Sequence, residues 1–253
     1  QPQAGNWSVA GQVHMHPFID IHDDLESAVR VKPGTGVLIN QNDDSLRDQL
    51  LTRLEHGDII LDLEVMLPKG SNSGIYLQGR YEVQLLDSWG VQQPTYGDIG
   101  GIYRNWPNDV YPDYLGKAPL SNAAKAPGLW QHMRIAFQAP RFDSDGGKVQ
   151  NAKMVYVDLN GVRIHNNVEI PAPTGGSVEL NEVPKGPLMI QGDHGPVAFR
   201  NIRYQLMEAQ PVHFSNLRYE IYEGAFDRPS TVGGDSVSAS GTMAQFTVAT
   251  AMD

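Results

Sequence analysis

The 253-residue sequence contains no cysteine, which excludes disulfide bonds, thiolate metal sites and a cysteine nucleophile. It also has no apolar run of about 18 residues or more, the length that a membrane-spanning helix needs. Cations are scarce, because 19 Lys and Arg stand against 29 Asp and Glu and give a formal net charge of -10. A surface of that sign argues against nucleic acid or an anionic membrane as a partner.

Helical periodicity is scarce as well, whereas strict alternation of apolar and polar residues recurs. Ile59 to Leu67 and Arg80 to Leu85 both alternate, as strands with one buried face do. Asn160-Gly161 between two apolar stretches predicts a tight hairpin turn. Sandwiches of roughly 200–250 residues occur as single domains and bury a core without covalent cross-links. The sequence therefore predicts an all-β domain over residues 1–208, a two-sheet antiparallel jelly roll.

One stretch departs from this pattern. Asp43 to Glu55 has leucines at helical spacing, with Asp43 or Asp44 as a candidate N-cap and Gly57 as a candidate end. It predicts either a short surface helix or an irregular excursion of the chain.

Residues 209–253 differ in composition from the rest of the chain. Leu217 to Gly224 and Ala244 to Ala249 have strand character, and Gly, Ser and Thr are frequent between them. So few strands cannot bury a core by themselves. We expect a β-strand extension that pairs with a sheet outside itself, in the first domain, in another copy or in a separate chain that completes a second sandwich.

Ser71 to Gly90 combines a strand pattern with an unusual row of polar side chains. One face is apolar and the other polar: Tyr81, Val83 and Leu85 against Arg80, Glu82 and Gln84. Because an antiparallel sheet commonly has one solvated face, this row faces either water or a polar groove. The groove is favoured by the flanking aromatic, amide and carboxylate residues Tyr76, Gln78, Asp87 and Trp89.

Two histidines are further candidates for a site. His132 lies between Trp130 and Arg134 on the polar face of an alternating strand, where it has either a functional or a structural role. We expect it to line one concave face together with Arg80, Glu82 and Gln84. His194 follows Asp193 in a turn that two glycines bracket, which permits both side chains to project from it. A neighbouring carboxylate can orient a histidine and make it more basic.

A cluster near the N-terminus has the residue types of a metal site without its spacing. It contains His14, His16, Asp20, His22, Asp23 and Asp24. The intervals between these residues fit no ligand pattern, and such clusters are usually solvated loops. We therefore favour a solvated loop.

Two long blocks and three shorter motifs together resemble one known family. The blocks are N-S-G-I-Y-L-Q-G-R-Y-E-V-Q-L-L-D-S from Asn72 and L-M-I-Q-G-D-H-G-P-V-A-F-R-N-I from Leu188. Between them lie G-G-I-Y from Gly100, G-L-W from Gly128 and V-D-L-N-G-V from Val157, in the family's order. Over roughly residues 5 to 208, the chain resembles the bacterial 3-keto-disaccharide hydrolase family.

The resemblance implies a concanavalin A-like jelly roll with its site on the concave face and a carbohydrate as the ligand. It also favours a periplasmic or extracellular location. No signal peptide is visible, and Gln1 is either a mature end left after cleavage or an arbitrary boundary. The tail weakly resembles the start of a protective-antigen-type sugar-binding module, which sometimes follows this family's domain.

The implied reaction is the cleavage of 3-keto-glycosides. Since the ketone acidifies the hydrogen on C2, a base can remove it to give an enediolate; the C1 oxygen then leaves and water adds, for net hydrolysis. Such a site needs a base, a partner for the oxyanion and an acid for the leaving group. The expected catalytic residues are Glu82 as base or metal ligand, Arg80 as oxyanion partner, and His194 or His132 as acid.

The remaining expected residues orient these groups or contact the sugar. Asp87 and Asp193 are the expected orienting carboxylates, and the expected sugar contacts are Gln78, Gln84, Trp89 and Tyr103. Tyr103 belongs to a long loop, Val91 to Ala126, whose aromatic residues either stack on sugar rings or pin the loop to the sheet. The sequence requires no cofactor, although a divalent cation held by Glu82 and His194 would replace Arg80 as the electrophile.

Two other functions compete with this one. A conventional glycosidase needs two carboxylates on one face, whereas Glu82 and Asp87 lie five positions apart and point to opposite faces unless a bulge near Leu86 intervenes. A non-catalytic, lectin-like carbohydrate-binding module would share the expected fold, and fold alone does not decide function.

Overall fold

The computed structural model describes residues 5–207 and the backbone of two further strands, Pro211–Tyr222 and Val237–Ala249. The chain divides into two compact units, Gln1–Met207 and Glu208–Asp253. In the described part of the chain, α-helix is limited to the four residues of α1, Leu25–Ala28. A search of those residues finds no helix of the length and apolarity that a membrane crossing requires.

The first unit contains two large antiparallel sheets. One consists of β1 (Trp7–Met15), β2 (Val29–Asn40), β4 (Ile59–Met66), β7 (Gln131–Gln138), β10 (Ala152–Leu159), β11 (Val162–Ile170) and β13 (Val197–Leu206). The other consists of β3 (Leu50–His56), β5 (Asn72–Leu77), β6 (Tyr81–Leu86) and β12 (Gly186–Ile190). Their strand orders are β1-β2-β13-β4-β7-β10-β11 and β3-β12-β5-β6, and β8 (Arg141–Phe142) pairs separately with β9 (Lys148–Gln150). This arrangement confirms the predicted all-β antiparallel sandwich.

The core lies between the two large sheets, because each contributes one alternating apolar face. Leu61 and Leu63 of β4 and Ile135 of β7 pack into the same cluster as Val83 and Leu85 of β6, all at most 1% exposed. Full burial of one such side chain stabilises the fold by about 1.5–3 kcal/mol. The apolar face predicted for β6 is therefore confirmed, and the opposite face of β6 points away from the core.

The predicted hairpin turn at Asn160-Gly161 is also confirmed. It joins β10 to β11, which pair from Leu159 and Val162 onward. Asn160 and Gly161 have φ angles of 53° and 83°. Two successive positive φ angles are what a type I′ turn requires, and Asn and Gly tolerate them best.

For Asp43 to Glu55, the helical alternative is wrong, whereas the irregular alternative holds for the first half of the segment. Its second half is strand β3, which pairs with β12. Its first half is irregular, and Asp43 accepts hydrogen bonds from the backbone of Ser45 and Leu46, as a capping residue does in a turn. Leu50 packs against the core and Leu51 is exposed, so tertiary pairing overrides the helical spacing.

The second unit contains a two-stranded antiparallel sheet, β14 (Pro211–Tyr222) and β15 (Val237–Ala249), paired from Pro211–Ala249 to Tyr222–Val237. Both predicted tail strands fall within these elements, apart from Glu223 and Gly224, which lie outside the described residues. The pairing of this tail with a sheet outside itself stays a prediction, and so does the domain division at residue 208.

Candidate active site

The polar face of the β5–β6 hairpin forms the floor of a pocket of about 130 Å³. Its sheet residues are Asn72, Tyr76, Glu82, Gln84 and Met189, and Gln191 follows directly after the end of β12. Loop residues complete the wall: Gln49, Tyr103, Trp106, Gly175, Gly176, Asp193 and His194. The space is smaller than the roughly 300–1,000 Å³ of sites that hold drug-sized ligands. It therefore suits the reacting end of a saccharide better than a whole oligosaccharide.

The long loop after β6 fixes Glu82 in place by pairing with the free edge of that strand. The Tyr103 N–H donates to the Glu82 carbonyl at 3.2 Å, and the Glu82 N–H donates to Thr174 Oγ1 at 3.0 Å. The backbone of Gln84 is held in the same way by Gly100 and Gly101. Because the N–H and C=O groups of Glu82 and Gln84 all have partners, the loop and Thr174 together position the carboxylate and protect the strand edge.

Gly74 leaves the space that the Glu82 side chain occupies. It lies opposite Gln84 on β5, on the same face as Tyr76. A Cβ atom at this position would clash with Glu82 Oε1 and would come within 3.0 Å of the Tyr76 ring. A glycine is therefore required here by close packing.

The Glu82 carboxyl is buried, with 2% of the residue exposed. Its pKa is raised from the ordinary 4.5 to about 8. Burial is the largest cause, a hydrogen bond with the Tyr76 hydroxyl opposes it, and the negative charge of Asp193 adds to it. Burial acts in this direction because a low-dielectric environment disfavours the charged form. At neutral pH, Glu82 is therefore mostly protonated and able to donate a proton.

Tyr76 lies directly opposite Glu82 in the hairpin. Its hydroxyl donates to the Gly175 carbonyl at 3.0 Å, and burial together with the Glu82 charge raises the Tyr76 pKa. The Gly175 carbonyl and an ionised Glu82 are both possible acceptors for the Tyr76 hydroxyl. They compete, because the hydroxyl has only one proton to donate. Hydrogen bonds to a charged acceptor are the stronger ones, which is why this contact lowers the Glu82 pKa.

Asp193 and His194 form a pair at the rim of the pocket. His194 Nδ1 lies 2.6 Å from Asp193 Oδ1 and 3.2 Å from Gln191 Nε2, and 54% of the histidine side chain is exposed. Pairing with the carboxylate favours the tautomer with a proton on Nδ1, which leaves Nε2 free to accept one. The arrangement suits a general base that a carboxylate orients.

The pocket brings together five of the residues expected from the sequence: Glu82, Gln84, Tyr103, Asp193 and His194. The structure places the other expected residues elsewhere. Gln78 has a φ angle of 53° in the β5–β6 turn, and its amide donates to the carbonyls of His56 and Pro184. Its contacts are structural.

Arg80 is another residue that the pocket does not include. It lies in the same turn, 4% exposed, and its guanidinium donates to Asn181, to the Gln78 carbonyl and to Glu179. These bonds anchor the segment around residue 180 to the turn. The alternation that placed Arg80 beside Glu82 begins only at Tyr81, where the strand begins.

Asp87 and Trp89 follow the end of β6 and do not line the pocket either. Asp87 accepts hydrogen bonds from the backbone of Gly70 and Trp89, and Trp89 is 57% exposed. These two hydrogen bonds hold Asp87 in the turn that follows β6, outside the pocket.

The expectation that His132 shares a face with Glu82 is wrong. His132 belongs to β7 of the seven-stranded sheet, where Met133 and Ile135 point into the core. His132 therefore points outward, with Nε2 3.2 Å from Asp62 Oδ2. Alternation identifies the face of a strand within its own sheet, and it does not identify the sheet.

Several pocket residues escaped sequence analysis, chiefly Gln49, Asn72, Met189 and Gln191. Gln191 had a usable signal, because it alternates with the core residues Leu188 and Ile190 and therefore belongs to the polar face. No group of three or more acidic or histidine side chains in the described ranges is arranged to hold a metal ion. Among the residues that the structure describes, Glu82 and His194 therefore lack the third acidic or histidine ligand that such a metal site would contain.

Comparison with solved structures finds carbohydrate-related proteins. A candidate glycosyl hydrolase from Parabacteroides distasonis is 25% identical, with 80% of this chain and 84% of that chain covered and a TM-score of 0.55. A second one from that organism is 21% identical (79% and 99% covered, TM-score 0.46), and a carbohydrate-binding module from Bacillus subtilis is 6% identical (80% and 97% covered, TM-score 0.38). The last two likenesses are too distant to bear on function. No curated protein matches the chain.

A family model gives the decisive comparison. The model of the 3-keto-alpha-glucoside-1,2-lyase-like domain matches residues 5–205, which include both long sequence blocks and every pocket residue. The resemblance that these blocks carried is confirmed. The chain belongs to this carbohydrate-related, glycosyl-hydrolase-like family of 3-keto-alpha-glucoside-1,2-lyase-like domains.

Proposed function

We propose that the protein cleaves 3-keto-glycosides at the Glu82 pocket, by removal of the C2 proton, elimination of the C1 substituent and hydration of the product. The observation that carries this proposal is a buried carboxyl with a pKa of about 8 in the same small pocket as an Asp193–His194 pair. One group holds a proton at neutral pH and the other can accept one. Such a pair of environments assigns an acid and a base.

In the proposed reaction, His194 Nε2 removes the proton from C2, and the electron pair of the C2–H bond moves toward the ketone. The bond between C1 and its oxygen substituent then breaks, and Glu82 donates a proton to the leaving oxygen. The product is an unsaturated 3-keto sugar, to which water adds to complete the hydrolysis. These roles reverse those expected from the sequence, where the burial of Glu82 was not visible.

Gln84 is the proposed donor to the developing oxyanion. Its Oε1 accepts the Leu85 N–H at 3.0 Å, which fixes the orientation of the amide. Its Nε2 makes no hydrogen bond within the described residues and belongs to a side chain that lines the pocket. A fixed donor of this kind stabilises negative charge without reorganisation during the reaction.

Trp106 is the proposed platform for the sugar ring. A Cβ at Gly175 would come within 2.7 Å of Trp106 Cδ1, so the indole lies directly over the glycine. The residue is nevertheless 57% exposed and lines the pocket. An indole with one face packed and the other accessible suits stacking on the apolar face of a sugar.

The test is incubation with a 3-keto-disaccharide in deuterated water, with the unoxidised disaccharide as the control substrate. We expect release of reducing sugar from the keto substrate alone, with deuterium exchange at C2. Equal cleavage of both substrates would favour a conventional glycosidase. Binding without turnover would favour the lectin-like alternative.

The pH dependence of kcat tests the assignment of the acid. With Glu82 as the acid, kcat falls as pH rises through about 8, because the proton is lost there. A rise of kcat through the same pH would instead make Glu82 the base. A periplasmic or extracellular location is also part of the proposal, which fractionation of the source cells would test.

A further inference from the structure

A second, larger cavity of about 580 Å³ lies against the other sheet. Its polar and aromatic lining consists of Gln12, His14, Arg30, Lys32, Trp130 and Arg200. These residues belong to β1, β2 and β13 and to the residue before β7, all in the seven-stranded sheet. None of them lines the Glu82 pocket. The cavity is therefore a separate candidate site.

The cavity lies where β2 is paired with β1 and no longer with β13. Residues 38–40 pair with β13, whereas residues 29–32 pair with β1 alone. Between these stretches the register shifts, so that residues 33–36 stand opposite Gly11. A Cβ on Gly34 would lie 2.6 Å from the Gly11 Cα, so the two strands approach each other here more closely than a side chain would allow. Beyond this close approach, the β1–β2 ribbon forms one wall of the cavity.

Positive charge is concentrated in this cavity, although the whole chain carries a formal charge of -10. Its lining includes three cations, Arg30, Lys32 and Arg200, and no carboxylate. Arg30 and Lys32 form no ion pair within the described residues. Their charges are therefore left to attract an anion from solution.

Arg200 is oriented in advance. Its Nε and Nη2 donate to the Glu64 carboxylate at 2.8 and 3.3 Å, and its guanidinium carbon lies 4.2 Å from the centroid of the Trp130 ring. Nη1 makes no hydrogen bond within the described residues. Because the side chain is already immobilised, an incoming ligand loses little additional entropy when it binds to this group.

We propose that this cavity binds an anionic group on a saccharide, a carboxylate or a sulfate. Arg200 Nη1 would donate to the anion, while Arg30 and Lys32 would add electrostatic attraction. The edge of Trp130, with Val13 and Val37, supplies the apolar surface that a sugar ring needs. This site does not depend on the reaction proposed at Glu82, since it lies on a different sheet.

The test measures binding by isothermal titration calorimetry in about 0.15 M salt, where weak surface attraction is screened. The probes are a hexauronate, a sulfated hexasaccharide and a neutral hexasaccharide. We expect saturable binding of at least one anionic probe and none of the neutral one. The double variant Arg30→Ala/Lys32→Ala should weaken that binding at least 10-fold.

A matched control removes two cations elsewhere on the seven-stranded sheet, Lys153, which is half-buried, and Arg203, which is exposed. Lys153→Ala/Arg203→Ala changes the net charge by the same amount, outside the cavity. We expect its affinity to stay within twofold of wild type. Glu82→Gln should also bind the anionic probe normally, which separates this site from the proposed activity. Equal binding of the neutral probe, an unaffected double variant or a control as weak as the double variant would overturn the proposal.

Discussion

The outer faces of the two sheets carry the same kinds of side chain in opposite environments. On the four-stranded sheet, burial raises the pKa of Glu82 to about 8. On the seven-stranded sheet, hydrogen bonds from Arg200 and Asn201 hold the pKa of Glu64 below its ordinary value, against the opposing effect of burial. Exposure accounts for this difference, because Glu82 is 2% exposed whereas 25% of the Glu64 side chain is exposed beside a cation.

The two histidine–aspartate pairs show the same contrast. His194 and Asp193 lie at the rim of the pocket that contains Glu82, whereas His132 and Asp62 lie on the outer face of the other sheet. Pairing of a histidine with a carboxylate is therefore not itself the mark of a site. The first pair differs because it shares its pocket with Glu82, a buried carboxyl that holds a proton at neutral pH.

The largest expected effect is on turnover. Glu82→Gln should lower kcat for a 3-keto-disaccharide by about 100-fold or more, because a general acid typically contributes that much. Glu64→Gln, the matched change on the other face, should leave kcat within twofold. Similar losses in both variants, measured as reducing sugar released, would remove the distinction between the two faces.

The next effect is on stability. Glu82 holds its proton up to about pH 8 in the folded chain and up to about 4.5 when unfolded. Its contribution to stability is therefore complete below pH 4.5 and is lost as pH rises through 8. The shift from 4.5 to about 8 corresponds to roughly 5 kcal/mol, so Glu82→Gln should gain stability of that order over wild type between pH 4.5 and 8.5, in urea unfolding.

Glu64 provides the control for this pH dependence, because its pKa shift has the opposite sign. A lowered pKa contributes stability above pH 4.5 that is lost as pH falls. Glu64→Gln should therefore be destabilised at neutral pH, and the difference from wild type should shrink in acid. If the difference in free energy of unfolding between either variant and wild type did not change with pH, the opposite pKa shifts of Glu82 and Glu64 would be contradicted.

Gly74→Ala tests the packing around Glu82. The added methyl clashes with Glu82 Oε1 and approaches Tyr76, so we expect kcat to fall about 10-fold and stability to fall by about 1–2 kcal/mol. Gly97→Ala is the control, since a Cβ there meets only Thr95 Oγ1, at 3.7 Å. Equal effects at both positions, by kinetics and urea unfolding, would show that the space between Gly74, Tyr76 and Glu82 accommodates a methyl group.

Tyr76→Phe sharpens the account of the Glu82 pKa. The variant removes a hydrogen bond that favours the ionised form, so the pKa of Glu82 should rise by about half a unit to one unit. Carboxyl carbon NMR titration measures this directly, and the falling limb of kcat should move to higher pH with it. A lower pKa would mean that Tyr76 acts mainly as an acceptor from the protonated carboxyl.

The smallest effect is expected at His132. Its pair with Asp62 is exposed, and such pairs contribute about 0–1 kcal/mol. His132→Gln should therefore leave kcat within twofold and the free energy of unfolding within about 1 kcal/mol. A loss of turnover comparable to that of Glu82→Gln would place a reacting group on the seven-stranded sheet.

The sequence by itself determined which residues enter the core and which motifs mark the family. Alternation identified the apolar faces of β4 and β6, and the blocks from Asn72 and Leu188 contain most of the sheet side chains of the pocket. These features are local, because strand geometry assigns each side chain to a face from its position alone. The preference of Asn-Gly for a tight turn is also local, and it predicted the hairpin turn at Asn160-Gly161.

Only the tertiary structure decided which faces meet and what is removed from water. It assigned His132 and Glu82 to different sheets and made Arg80 an anchor of its own turn. It also decided between the helical and irregular alternatives for Asp43 to Glu55, which is a turn followed by a strand. Finally, it buried Glu82 between the loop after β6 and Thr174, which lies 92 residues further along the chain. Sheet pairing and desolvation depend on these long-range contacts, and no local pattern of residues encodes them.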